Sequence, residues 1–293
     1  MKRVLVVGAG FMGTGIAQVC AQSGYRVHLM DVKEEALVRA MKEIRWSVTK
    51  LSDKGILEEG PDAVLQRITR ESDLEIASRA DWVIESALEI VALKEEIFGA
   101  LDRLAGPDTP LATNTSSIPI TRIARATRRP ERVLGIHFFG PVPLMGGVEV
   151  IKGEKTAPEV MEKGVSFVRS LGKRPIRVER DIPGFVINRI FSAAFREAVD
   201  LVAKGLVSPE DVDAGMKLGY NWNAGPFEIA DNAGLDTFVL IGESMRALGE
   251  TQLVSDAGLI EQMVRDGRRG RKAGKGFYTY TADGKRVPWT PDT

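Results

Sequence analysis

Three glycines in Gly8-Ala-Gly10-Phe-Met-Gly13 stand between an apolar run, Val4–Val7, and a helical pattern over Gly13–Gln22. No other feature limits the fold as much, because a strand must turn there directly into a helix. Gly8 permits the tight turn, Gly10 lets the backbone approach a pyrophosphate, and Gly13 allows close helix–strand packing. Phe11 and Met12 complete the turn, and the helix N-terminus presents unpaired N–H groups to phosphate. A second apolar run, Val27–Met30, closes on Asp31. A carboxylate there accepts hydrogen bonds from adenosine ribose hydroxyls and repels a 2′-phosphate, which favours NAD over NADP. Lys33 weakens that preference slightly, and capping of the next helix is the other use for Asp31.

The first 180 residues continue the alternation. Strands are expected at Ile68–Thr69, Trp82–Glu85, Leu111–Thr113, Val133–His137, Val148–Ile151 and Ile176–Val178, with helices at Glu34–Leu51 and Leu88–Leu104. This predicts an α/β, Rossmann-type doubly wound parallel sheet. Lys54-Gly55 and a short helical stretch near Pro61–Gln66 add an inserted helix pair before the third strand. The texture changes at Asp181-Ile-Pro-Gly. From there apolar residues from Ile187 to Val202 recur at helical spacing, and Gly205 ends the stripe. Ser208-Pro209-Glu210-Asp211 starts another helix, a further run follows Gly225-Pro226, and one more spans about Asp256–Arg265. Two domains follow, 1–180 for the dinucleotide and 181–293 mostly helical. Phe191 and Phe195 suit either an interface or plain core packing.

The 293 residues balance forty Lys+Arg against forty Asp+Glu, so no basic field exists for nucleic acid. One cysteine, Cys20, excludes an intrachain disulfide, and with two histidines no metal site is expected. No apolar run approaches the ~18 residues of a membrane span, and the chain opens on its first strand without a secretory pattern. A cytoplasmic protein is expected.

Oxidation of an alcohol releases a proton, and imidazole is tuned to take it near neutral pH. His28 lies mid-strand, where a structural or solvated place suits it better. His137 ends its strand, and open α/β sheets bind ligands beyond strand carboxyl ends. Glu149, in the apolar run Gly147–Ile151, would fix the ring tautomer and stabilise the imidazolium if paired with His137. The alternative is an edge glutamate facing water. Asn114-Thr115-Ser116-Ser117 follows another strand and serves either nicotinamide and substrate or a helix cap near Ile118. Asn188, in Gly184-Phe-Val-Ile-Asn-Arg189, orients a substrate, caps its helix or bonds between the two expected domains.

Together these segments resemble the L-3-hydroxyacyl-CoA dehydrogenase family, in its short 3-hydroxybutyryl-CoA dehydrogenase-like form. The similarity runs over nearly the whole chain: GAGFMG at 8–13, NTSS at 114–117, HFFGPVP at 137–143, VEVI at 148–151, DIPGFVINR at 181–189, GPFE at 225–228 and GKGFY at 274–278. The resemblance implies NAD as cofactor and an acyl-CoA thioester as partner. It makes His137 the base, Glu149 its partner, and Ser116 and Asn188 the substrate-binding groups. It also gives Glu89, Lys94, Ser116 and Lys272 cofactor contacts, and Ser47 and Lys54 CoA contacts. It further implies β-oxidation and fatty acid metabolism, and a homodimer formed through the helical domain. Two positions depart from the family: Gly140 replaces a usual Asn, and Gly146 a usual Lys. Two other readings remain: an NAD enzyme acting on a sugar acid or β-hydroxyacid without CoA, and a non-catalytic NAD-binding protein. The His137–Glu149 pairing argues against β-hydroxyacid enzymes that use a catalytic lysine.

Overall fold

The computed structural model describes residues 2–57, 59–247 and 249–287. They form two compact units, Met1–Ile182 and Pro183–Thr293. In the first, the eight strands are β1 Arg3–Val7, β2 Arg26–Met30, β3 Ile68–Glu71, β4 Trp82–Glu85, β5 Leu111–Thr113, β6 Val133–Phe138, β7 Gly147–Ile151 and β8 Arg174–Val178. They join in the order β3-β2-β1-β4-β5-β6-β7-β8. Strand order reverses between β1 and β4, so the crevice of a doubly wound sheet opens at the glycine turn after β1.

The sheet is doubly wound and parallel as expected, except at one strand pair. β7 runs antiparallel to β6, and β8 is parallel to β7. Only a loop, residues 139–146, joins β6 to β7, and without a crossover helix the chain must return antiparallel. That return sets His137 directly opposite Glu149.

The helices of this unit are α1 Phe11–Gln22, α2 Glu34–Asp53, α3 Pro61–Leu65, α4 Val91–Leu104, α5 Ile120–Ala124 and α6 Pro158–Ser170. α2 buries Ala36, Leu37, Ala40, Ile44 and Val48, the stripe its spacing dictates. Two helices start later than the sequence pattern implies. α4 starts at Val91 instead of Leu88, because Glu89 turns aside to bind the loop after β5. α5 starts at Ile120, because the Thr115 hydroxyl takes the Ser117 and Ile118 N–H groups into a turn first.

The second unit holds α7 Ile187–Ala203, α8 Pro209–Tyr220, α9 Pro226–Ala233, α10 Leu235–Ala247, α11 Leu259–Arg265 and a small ribbon, β9 Thr279–Tyr280 with β10 Arg286–Val287. Ser208 caps α8 as its sequence implies. The run after Pro226 is broken at Gly234 into α9 and α10, and the last helix begins at Leu259 instead of Asp256. Phe195 is buried with Phe227, Leu235, Met263 and Phe277, with Phe191 stacked beside it, so both phenylalanines pack in this unit's core. The segments GPFE and GKGFY seat two buried aspartates. Asp213 accepts the N–H groups of Phe227 and Glu228, and Asp231 those of Phe277 and Tyr278. A side chain on Gly225 or Gly276 would collide with those carboxylates.

Among the described residues, no helix is long and apolar enough to cross a membrane. No group of three or more His, Cys, Asp or Glu converges there to hold a metal ion.

Candidate active site

The glycine turn has the shape that a dinucleotide requires. Gly8 takes φ +105°, and a Cβ on it would lie 2.5 Å from the Ser86 carbonyl oxygen. A Cβ on Gly13 would lie 1.9 Å from the Gly8 oxygen, so these two glycines serve the protein's own close approach. Gly10 differs, since a Cβ there would meet nothing within 4 Å. Its bare backbone faces open space at the N-terminus of α1, where a pyrophosphate fits. The Asp31 carboxylate binds two backbone N–H groups. One carboxylate oxygen accepts the Ala9 N–H at 2.8 Å inside the turn, and the other accepts the Lys33 N–H at the start of α2.

A buried polar network holds the strand ends beside this turn. Glu85, at the end of β4, accepts from the Lys94 ammonium at 2.6 Å, the Ala87 N–H and the Thr113 hydroxyl. Lys94 is itself only 1 % exposed. It also lies 3.4 Å from Glu89, so its ammonium supports the loop over residues 86–89 from beneath. Glu89 in turn accepts from the Thr115 and Ser117 hydroxyls and the Ser116 and Ser117 N–H groups. Burial pushes the Glu89 carboxyl up, but Lys94 and these hydrogen bonds outweigh it and hold the group below the ordinary glutamate value. Asn114 accepts the Phe138 N–H at 2.9 Å and donates to Ser86, tying the loops after β4 and β5 to the end of β6. Glu85 was not singled out from the sequence. Its signal was there, since a glutamate closing the apolar run Trp82-Val-Ile has the same character as Glu149.

His137 closes this row. Its Nδ1 lies 2.7 Å from a Glu149 carboxylate oxygen across the ladder, with both side chains buried. The water-facing alternative for Glu149 therefore fails, because β7 lies inside the sheet. Phe139 packs edge-on against the imidazole at 4.9 Å. His28 forms a separate, structural pair with Glu71 at 2.8 Å.

Ser116 is half-buried in the loop that Glu89 holds. Ser47 is half-buried on α2, and Lys54 is exposed just past its end. Asn188 and Lys272 belong to the second unit. Asn188 is half-buried in the first turn of α7, and Lys272 is bound to Asp236 at 2.7 Å. The two departures from the family pattern also have a spatial reading. A Cβ at Gly140 would lie 2.8 Å from the Phe11 ring, so that exposed ring takes room an asparagine would need. At Gly146 a Cβ would meet nothing.

A dinucleotide turn at the switch point, with an imidazole–carboxylate pair along the same sheet edge, defines a nucleotide-dependent dehydrogenase. Comparison with known proteins makes the class specific. Residues 3–182 match the model for "3-hydroxyacyl-CoA dehydrogenase, NAD binding domain", and residues 184–280 match "3-hydroxyacyl-CoA dehydrogenase, C-terminal domain". A probable 3-hydroxybutyryl-CoA dehydrogenase of Deinococcus radiodurans is 44% identical over 276 residues, 94% of this chain and 99% of that protein. The mitochondrial hydroxyacyl-coenzyme A dehydrogenase of Homo sapiens is 39% identical, over 96% of this chain and 91% of that protein. The crystal structure of (S)-3-hydroxybutyryl-CoA dehydrogenase from Ralstonia eutropha superposes with a TM-score of 0.89 at 38% identity, covering 96% of this chain and 99% of that one. The chain belongs to the 3-hydroxyacyl-CoA dehydrogenase family. It is an oxidoreductase that uses NAD.

Proposed function

We propose that this chain interconverts an L-3-hydroxyacyl-CoA and its 3-oxo form with His137 as the base. The buried 2.7 Å contact between His137 and Glu149 carries the reading. Glu149 selects the tautomer with the proton on Nδ1, which makes Nε2 the basic nitrogen. Nε2 takes the proton of the 3-hydroxyl during oxidation and returns it during reduction. The imidazolium so formed is stabilised by the adjacent buried carboxylate. When bound, NAD supplies the hydride acceptor. The open backbone at Gly10 and the first turn of α1 hold its pyrophosphate, with Phe11 and Met12 lining the turn. Asp31 holds the adenosine ribose while bracing the turn through Ala9.

Ser116 and Asn188 bind the reacting end of the substrate. Glu89 and Lys94 act as positioning residues, since their bonds fix the loop that carries Ser116. Asn114 positions the backbone that follows His137 through the Phe138 N–H. Ser47 and Lys54 contact the CoA, and Lys272 contacts the cofactor. The reading extends to a cytoplasmic homodimer in β-oxidation. The sole cysteine supports it, as do apolar side chains exposed on the helical unit, Ile190 and Leu240 among them.

The test is His137→Gln assayed with NADH and 3-oxobutyryl-CoA. Turnover should collapse while NADH binding persists. Unchanged turnover would remove His137 from the base role.

A further inference from the structure

The loop that joins β6 to β7, residues 139–146, is held by contacts that the proton chemistry does not use. It closes on itself first, since the Leu144 and Met145 N–H groups both donate to the Pro141 carbonyl. Among the described residues, neither the Val142 nor the Met145 carbonyl accepts a main-chain N–H. Lys173 takes up both, its ammonium donating to them at 2.8 and 2.6 Å. This lysine stands one residue before β8, whose first N–H, on Arg174, donates to the Gly146 carbonyl at 2.8 Å. Its side chain is half-buried, and among the described residues it has no ion pair. Burial without a counter-charge pushes its amine below the ordinary lysine value. The two charge-assisted bonds to the loop offset that cost, so the loop is what the ammonium secures.

The other side of the loop lies on the dinucleotide turn. Val142 is buried against α1, where a Cβ on Gly15 would come within 2.8 Å of the Val142 Cβ and 3.5 Å of Pro143. At Gly140 a Cβ would lie 2.8 Å from the Phe11 ring and 3.4 Å from the Met12 sulfur. Phe11 is 67% exposed, so the bare Gly140 backbone is one of few surfaces that fix its ring. Contact therefore runs from the Lys173 ammonium, through the loop, to the first turn of α1, where a pyrophosphate fits.

We propose that Lys173 is a positioning residue for the cofactor: its ammonium holds the loop after β6 against α1, and through Gly140 this fixes the Phe11 ring at the lip of the dinucleotide turn. It acts through the loop and not on the reacting atoms. The proposal rests on the use of NAD and not on His137 as the base, because the ladder that registers His137 with Glu149 lies outside the loop.

The experiment measures NADH affinity by fluorescence titration, together with kcat and KM for 3-oxobutyryl-CoA. Lys173→Met keeps the aliphatic stem and removes the ammonium. It should raise the NADH Kd about tenfold, while kcat and the thioester KM at saturating NADH change less than about twofold. Lys173→Cys allows the charge to be restored by alkylation with 2-bromoethylamine, since Cys20 is buried and escapes the reagent. Affinity recovered on alkylation supports the clamp. An unchanged Kd in Lys173→Met overturns it, as does a loss that alkylation leaves in place or one shared equally by kcat and the thioester KM. Phe11→Ala tests the route: once the ring is gone, adding Lys173→Met should weaken NADH binding no further, and additive losses reject the path through Gly140. Gly140→Ala displaces the same ring without touching Lys173, so it too should raise the NADH Kd. An unchanged Kd there rejects the path even if Lys173→Met fails to fold.

Discussion

The first unit pairs its buried carboxylates with cations or an imidazole, while the second seats its own on backbone N–H groups and tyrosine hydroxyls. Glu85 meets Lys94, Asp102 meets Arg132, and Glu149 meets His137, at 2.6, 2.8 and 2.7 Å. Asp213 instead takes two N–H groups and the Tyr278 hydroxyl, and Asp231 two N–H groups and the Tyr280 hydroxyl. Among the described residues, neither aspartate has a salt bridge. Asp102 on one side and Asp213 and Asp231 on the other shift in opposite directions. Burial pushes Asp213 and Asp231 up, and their hydrogen bonds do not offset it. Burial also acts on Asp102, but the Arg128 N–H and Arg132 outweigh it and hold that group below its usual value. An acid facing a group that exchanges protons can serve chemistry, whereas one fixed by peptide N–H groups serves as a clamp.

Substitutions can break or sharpen this contrast. The largest effect is expected for His137→Gln, with kcat reduced about 10³-fold while NADH affinity and melting temperature hold. A matching loss of stability would erase the distinction between the units. Asp213→Ala should act in the opposite sense. It strands two N–H groups and a tyrosine hydroxyl, lowering unfolding free energy by about 3 kcal/mol in urea titrations. Glu149→Gln should lower kcat roughly a hundredfold, because the imidazolium loses its neighbouring charge. Gly10→Ala should weaken NAD binding about tenfold without altering stability, as a Cβ there meets no protein atom.

The smallest effect concerns pH. Asp213 and Asp231 have raised folded values, so their contribution is greatest below the unfolded aspartate value near 4 and falls as pH climbs through the raised value. Glu89 and Asp102 have lowered folded values, so theirs is complete above the ordinary carboxylate range and is lost as pH drops through the folded value. Hydrogen exchange resolved by unit and followed against pH should show these opposite slopes. Parallel slopes would refute the division.

Much of this is legible in the sequence alone. Strands β4 and β5 have the bounds their apolar runs imply, because short buried runs between turn residues leave few alternatives. His137 and Glu149 were readable because the two strands are neighbours in the chain as well as in the sheet. The reversal at β7 was harder to read, since a run of valines and isoleucines does not encode strand direction. Asp213 and Asp231 were missed for another reason. Tyr278 reaches Asp213 across 65 residues of sequence, and no local pattern records such a contact. The sequence showed that GPFE and GKGFY were distinctive, but not which side chains they were shaped to hold.

The return of β7 against β6 has one further consequence. His137 and Glu149 are registered by main-chain ladder bonds between adjacent strands, so their separation is set by strand pairing and not by the side chains of residues 139–146. That loop, which includes both Gly140 and Gly146, has anchors of its own: Val142 is buried in the core, and the Lys173 ammonium donates to the Val142 and Met145 carbonyls. Sequence changes there that keep these anchors leave the imidazole–carboxylate register untouched, because strand pairing and loop packing are held by separate contacts.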